Sequence, residues 1–126
     1  MKEKVIFYRC EMCGNIVELI KDGGGELVCC GKPMKKLEPN TVDAAQEKHV
    51  PVYEKKGNIL SVQVGSVEHP MTEEHYIEWI AVETPDRIQR RVLRPGEAPK
   101  AEFQIDSDEF RIFEYCNLHG LWKNES

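Results

Sequence analysis

Cys10-Glu11-Met12-Cys13-Gly14, then fourteen residues, then Cys29-Cys30-Gly31, is the pattern that decides how the first part of this chain folds. Two close thiol pairs can build a tetrahedral site, with sulfurs at about 2.3 Å from zinc or iron. Gly14 and Gly31 follow the two pairs, and Gly23-Gly24-Gly25 lies between them. Glycine turns tightly and lets backbone N–H groups approach a sulfur. Glu18-Leu19-Ile20 and Glu26-Leu27-Val28 flank the glycine run and predict a small hairpin across it. Chains below about 40 residues rarely sustain a core without a metal, disulfides or a partner, so the ion is expected to hold this segment folded. Adjacent Cys29 and Cys30 must both turn toward one ion, which predicts a distorted tetrahedron.

Outward from this segment, the composition sets limits. The chain has 126 residues, 17 Lys plus Arg, 22 Asp plus Glu and a net charge of −5. Residues 1–36 carry seven Lys/Arg and five Asp/Glu, whereas residues 37–126 carry ten and seventeen. The first segment is therefore net basic and the rest net acidic. A sequence pI near 5.4 argues against a general electrostatic grip on nucleic acid. No apolar run approaches the roughly 18–20 residues of a membrane span, and the start lacks a secretory apolar region. A cytoplasmic, soluble chain is expected, where thiols stay reduced. Five cysteines are an odd number, which a purely disulfide-bonded framework would not use up.

Lys32-Pro33-Met34-Lys35-Lys36-Leu37-Glu38-Pro39-Asn40 reads as a connector. A short helical turn is expected from Thr41 to Gln46, capped by Thr41 or Asn40 and ended by Pro51. Beyond it the chain alternates like strands: Leu60, Val62 and Val64 on one face, then Tyr76–Val82, Arg87–Arg94, Ala101–Ile105 and Phe110–Tyr115. Gly57-Asn58, Thr84-Pro85-Asp86 and Pro95-Gly96-Glu97-Ala98-Pro99 mark turns. Short strands at this spacing predict an antiparallel β-sandwich, with Trp79 and Phe103 in its core. The remaining thiol, Cys116, and all four histidines (His49, His69, His75 and His119) fall in this second segment. Cys116-x2-His119 suits one loop presenting two ligands to one ion. A second metal site and a set of ordinary polar histidines both remain open on spacing alone.

Tyr8-x-Cys10-x2-Cys13-Gly14-Asn15-x-Val17 with Val28-Cys29-Cys30-Gly31 resembles desulforedoxin, a small protein with one iron held by four cysteines. Glu47-Lys48-His49-Val50-Pro51, Gly65-Ser66-Val67-Glu68-His69-Pro70-Met71 and Glu114-Tyr115-Cys116-Asn117-Leu118-His119-Gly120 resemble superoxide reductase. Together they resemble the desulfoferrodoxin family, over essentially the whole chain and with every ligand position filled. The resemblance implies a mainly β chain: a rubredoxin/desulforedoxin-like metal-binding domain at 1–37, then an immunoglobulin-like antiparallel β-sandwich at 38–126. It implies two irons, one on Cys10, Cys13, Cys29 and Cys30, the other on four imidazoles (His49, His69, His75, His119) with the Cys116 thiolate on the axis. It further implies one-electron reduction of superoxide to hydrogen peroxide without oxygen evolution, a homodimer, and a rubredoxin-type electron donor.

Those ligands suit that chemistry. Redox-inert zinc cannot supply an electron, whereas iron can. Neutral imidazoles leave the metal its positive charge, and a thiolate donates electron density along the axis. Lys48, beside His49, is the expected residue for attracting the anion and delivering a proton; on its own it would read as a surface lysine. Glu47 is carried over from the family as the carboxylate that binds the oxidised iron. Two other readings are weighed against this one. A zinc ribbon with an interaction sandwich leaves Cys116 and the histidines unassigned, and a pure electron carrier would have no open substrate position.

Overall fold

The computed structural model describes residues 5–39 and 45–126. The chain divides into two compact units, Lys2–Glu38 and Pro39–Ser126. The expected cap and first turn at 40–44 lie outside the described residues.

The first unit holds β1 (Ile6–Arg9), β2 (Ile16–Leu19), β3 (Val28–Cys29), β4 (Lys32–Pro33) and β5 (Lys35–Lys36). A three-stranded sheet runs β2-β1-β5, and β3 pairs with β4 as a separate ribbon. The hairpin predicted across the glycine run does not form. Instead β2 pairs antiparallel with β1, from Arg9 opposite Ile16 to Ile6 opposite Leu19, while Val28 lies opposite Pro33. Three successive glycines offer no side chains for cross-strand contact and cost backbone entropy when ordered. The turn after Cys10 closes the competing pair at once: the Cys10 N–H donates to the Asn15 carbonyl at 2.8 Å, and the Gly14 N–H to the Cys10 carbonyl at 2.9 Å. Each cysteine pair therefore sits at the turn of its own hairpin. Phe7 and Cys10 are the buried hydrophobic residues described in this unit, which is little core for its length.

The second unit begins with α1 (Gln46–His49), one turn ended by extended Val50 ahead of Pro51. Seven strands follow: β6 (Pro51–Lys56), β7 (Ile59–Val64), β8 (Ile77–Thr84), β9 (Arg87–Val92), β10 (Lys100–Gln104), β11 (Arg111–Cys116) and β12 (Gly120–Glu125). They form sheets β10-β7-β6 and β12-β11-β8-β9, with all pairs antiparallel. Leu60, Val62, Val64 and Phe103 from one sheet share a core cluster with Ile77, Ile80, Val82, Ile112 and Cys116 from the other. This three-on-four antiparallel arrangement is the immunoglobulin-like sandwich that the resemblance implies. Trp79 and Phe103 are buried, as expected. Strands β6 and β12, which the periodicity did not single out, both lie at sheet edges. Edge strands carry charged and polar residues, so their sequence pattern is weak. Among the described residues, no helix is long and apolar enough to cross a membrane.

Candidate metal centres

In the first unit the β1–β2 turn presents Cys10 and Cys13, and the β3–β4 turn presents Cys29 and Cys30. All four Sγ atoms lie within 4.8 Å of one another. Cys13 and Cys29 Sγ are 3.7 Å apart, and Cys29 and Cys30 Sγ 4.0 Å. A tetrahedron of about 2.3 Å bonds has sulfur–sulfur edges of about 3.8 Å, so the donors fit one ion with modest distortion. Cys30 takes a left-handed backbone, φ 53°, which turns two adjacent side chains toward the same point. The Cys13 N–H donates to Cys10 Sγ at 3.4 Å, and the Asn15 side-chain amide to Cys29 Sγ at 3.7 Å. That backbone N–H is the main reason the Cys10 thiol is lowered to about 6. Crowding by Cys13 and Cys10 pushes Cys30 up to about 12 and raises Cys29 as well. The sulfurs cannot all ionise side by side without a cation to neutralise them.

The second centre gathers residues from three separate stretches of chain. His49 ends α1, His69 and His75 come from the β7–β8 connection, and Cys116 and His119 come from the end of β11 and the turn that follows. Ring centroids of neighbours are 4.7 Å (His49–His69), 4.5 Å (His69–His75), 5.1 Å (His75–His119) and 4.8 Å (His119–His49). His49 and His75 are 6.3 Å apart, across the diagonal. The four rings therefore form a square, each roughly edge-on to its neighbours. His49 Nε2 is 3.1 Å from His119 Nδ1 and 3.2 Å from His69 Nε2. A square of about 2.1 Å metal–nitrogen bonds has edges of about 3.0 Å, close to both values. Cys116 Sγ lies 3.5 Å from His69 Nε2 and 3.8 Å from His119 Nδ1, and its ligand atom also groups with those of His49, His75 and His119.

Tautomers test whether an ion belongs at the centre of this square. His49 Nδ1 donates to the Ala45 carbonyl at 2.8 Å, and His69 Nδ1 to the Pro70 carbonyl at 2.6 Å. In the neutral rings both Nε2 atoms then carry lone pairs, aimed at each other over 3.2 Å. His75 Nε2 is buried with no hydrogen-bond partner. Converging lone pairs and an orphaned buried nitrogen are costly unless a cation accepts them. Burial lowers His69 to about 4 and lowers His49 and His75 as well, so these rings stay neutral and ready to coordinate at neutral pH. Burial raises the Cys116 thiol, opposed by the Leu118 and His119 N–H groups, so its proton leaves when a metal binds. Both donor sets expected for the two irons are assembled here.

Lys48 projects its charge onto His49 and His75, adding to the lowering of both rings. Glu47 is exposed, and its backbone carbonyl accepts from the Val67 N–H at 2.8 Å and the Ser66 hydroxyl at 3.3 Å. Gly65 packs so close to this segment that a Cβ there would meet the Glu47 carbonyl at 2.7 Å and that of Val50 at 2.9 Å. Sequence reading assigned no role to Gly65, Asn117, Trp122 or Glu114. The Glu114 carboxylate, two residues before Cys116, is fully buried with neither oxygen partnered. Desolvation raises it well above the ordinary value. For Asn117 the available signal was its place between two ligand residues; for the others, contacts distant in sequence carry the role.

Comparison with known proteins agrees with this geometry. The desulfoferrodoxin family profile matches residues 41–125, and the profile of the desulfoferrodoxin N-terminal domain matches residues 2–37. The chain is 54% identical over 125 residues to a desulfoferrodoxin of Syntrophotalea carbinolica, covering 99% of each. It is 53% identical over 124 residues to a desulfoferrodoxin homolog of Archaeoglobus fulgidus, covering 98% of this chain and 99% of that one. The crystal structure of the superoxide reductase from Treponema pallidum superposes with a TM-score of 0.77 at 35% identity, covering 97% of this chain and 99% of that one. On these matches the chain belongs to the desulfoferrodoxin family.

Proposed function

We propose that this chain is a superoxide reductase, in which superoxide, one electron and two protons give hydrogen peroxide and no oxygen is evolved. The observation that carries the reading is the square of four imidazoles with a single thiol sulfur beside His69 and His119. Residues 1–37 are assigned as the tetrathiolate iron domain and residues 38–126 as the catalytic domain.

Iron held at the second centre would supply the electron and a cationic point for the superoxide anion. His49, His69, His75 and His119 hold that cation without cancelling its charge, because burial keeps the first three rings neutral. Cys116 contributes the one anionic donor, from within the sandwich core. Lys48 draws the anion and holds a water-borne proton for the reduced oxygen; the field it exerts on His49 and His75 supports that role. Glu47 would supply a carboxylate ligand to the oxidised metal, and the hydrogen bonds of its backbone carbonyl to Val67 and Ser66 hold its segment beside His49. Five free cysteines suit a reducing compartment, which supports a cytoplasmic location. The family pattern supports a homodimer served by a rubredoxin-type donor in an electron-transport role.

The deciding experiment mixes reduced protein with pulse-generated superoxide. One peroxide per superoxide without oxygen is expected; oxygen evolution would indicate dismutation and overturn the reading.

A further inference from the structure

The four imidazoles are not supported alike. His69 is held by its own loop: its ring donates to the Pro70 carbonyl and its backbone N–H to the Val64 carbonyl at 2.8 Å. His75 is the ring whose Nε2 has no partner, so its direction depends on how its backbone is fixed. Within its own loop the His75 carbonyl accepts from the Thr72 N–H at 3.0 Å and its N–H donates to the Thr72 carbonyl at 3.2 Å, and three further hydrogen bonds, all made with Asn117, tie that loop to the β11–β12 hairpin. The Tyr76 N–H donates to Asn117 Oδ1 at 2.9 Å, Asn117 Nδ2 donates to the Glu74 carbonyl at 3.0 Å, and the Asn117 N–H donates to the Tyr76 carbonyl at 3.2 Å. These grip the chain on both sides of His75, across more than 40 positions of sequence.

Trp122 makes a matching grip on the opposite corner. Its ring stacks on His49 with centroids 4.9 Å apart and 27° between planes. Its Nε1–H donates to the His119 carbonyl at 3.1 Å. Asn117 and Trp122 both lie between Cys116 and the middle of β12, in the hairpin that already carries two ligands. His49 and His75 are the diagonal pair.

We infer that the β11–β12 hairpin positions His49 and His75 as well as supplying Cys116 and His119, with Asn117 as the positioning residue for His75 and Trp122 for His49. One hairpin then bears on four of the five donors, adding to the Ala45 carbonyl that holds His49 and to the Thr72 contacts that close the loop of His75, whereas His69 is held by its own loop. Outer groups that orient a ligand typically change metal affinity by about 10–100-fold when removed. A merely structural asparagine would lower stability without caring which ligand is present. The proposal rests on the reading of the second centre as a metal site and needs no assumption about its substrate.

The test uses the full-length protein freed of metal and titrated with Co(II). Occupancy of the second centre is followed by hyperfine-shifted imidazole N–H proton resonances, which the tetrathiolate site lacks. Asn117→Ala should weaken Co(II) binding there by about tenfold or more. In a His75→Ala background the same change should cost less than about twofold, and in a His69→Ala background it should cost its full amount. Asn117→Asp, nearly isosteric, keeps the acceptor for Tyr76 and loses the donor to Glu74; it should fall between, and it carries the same cycle if Asn117→Ala does not fold. Trp122→Phe retains a stacking ring and should lose less than Trp122→Leu, with the difference vanishing in His49→Ala. Equal losses in all backgrounds, or no loss, overturn the proposal. Absence of any shifted imidazole signal in the parent protein overturns the metal-site reading and the proposal together.

Discussion

The two centres solve opposite problems. In the first unit the ligands come from two turns close in sequence, and little apolar surface is buried besides Phe7 and Cys10. In the second, ligands distant in sequence converge on a sandwich whose interior is complete on its own terms. Ion binding at a structural thiolate site is worth about 10–16 kcal/mol, far more than so small a core supplies. The metal therefore folds the first unit, whereas in the second the fold prepares the place for the metal.

Metal removal is the strongest way to break that contrast. Chelation should abolish amide-exchange protection across residues 5–37, by roughly a thousandfold or more. Leu60–Val64 and Ile77–Val82 should keep theirs; retained protection in the first unit would end the distinction. Cys116→Ser comes next. It should reduce the superoxide reaction by about 100-fold or more while leaving the visible absorption of the tetrathiolate iron unchanged. A change in both spectra would mean that the centres are not independent. Lys48→Ala should slow the bimolecular reaction by about tenfold and flatten its dependence on ionic strength. An unaltered rate across salt concentrations would remove the steering role.

Two smaller effects sharpen how the sandwich prepares its site. Gly65→Ala brings a methyl to 2.7 Å from the Glu47 carbonyl, so the segment carrying Glu47, Lys48 and His49 must shift. A loss of about 1–3 kcal/mol in urea denaturation is expected, with a weaker salt effect on the reaction. Glu114→Gln probes the buried carboxyl. Because its native value is raised, the native state keeps this proton while the unfolded chain loses it above about 4.5. Stability therefore falls as pH rises through that window. The variant should match the parent below about pH 4 and become the more stable of the two as pH increases. A gap that does not change with pH would mean that the carboxyl is not raised in the folded protein.

The parts of this molecule that can be read from sequence are those whose causes are local. Cys10-x2-Cys13-Gly14 and Cys29-Cys30-Gly31 announce their turns because ligand, glycine and turn are neighbours. The alternation of Leu60, Val62 and Val64 announces a buried strand for the same reason. Local reasoning failed where two local solutions competed: β2 could pair across the glycines or across the first cysteine turn, and only the latter closes with good hydrogen bonds. It also passed over β6 and β12, whose solvent-facing edges mask alternation. The histidines are a third kind of case. Spacing left them undecided, and the resemblance grouped them, but the order of the four rings around the square comes from sheet register and loop path. Asn117 reaches back to Glu74 and Tyr76, and Trp122 to His49; no window of sequence contains those pairs.

The sulfur of Cys116 is part of the packed interior, whereas His69, His75 and His119 hang from connecting segments. The imidazoles depend on hydrogen bonds for their direction, whereas the one sulfur donor is held by the packing of both sheets. A change in the apolar filling of the sandwich would therefore reach the sulfur directly, without passing through any of the loops that bear the rings.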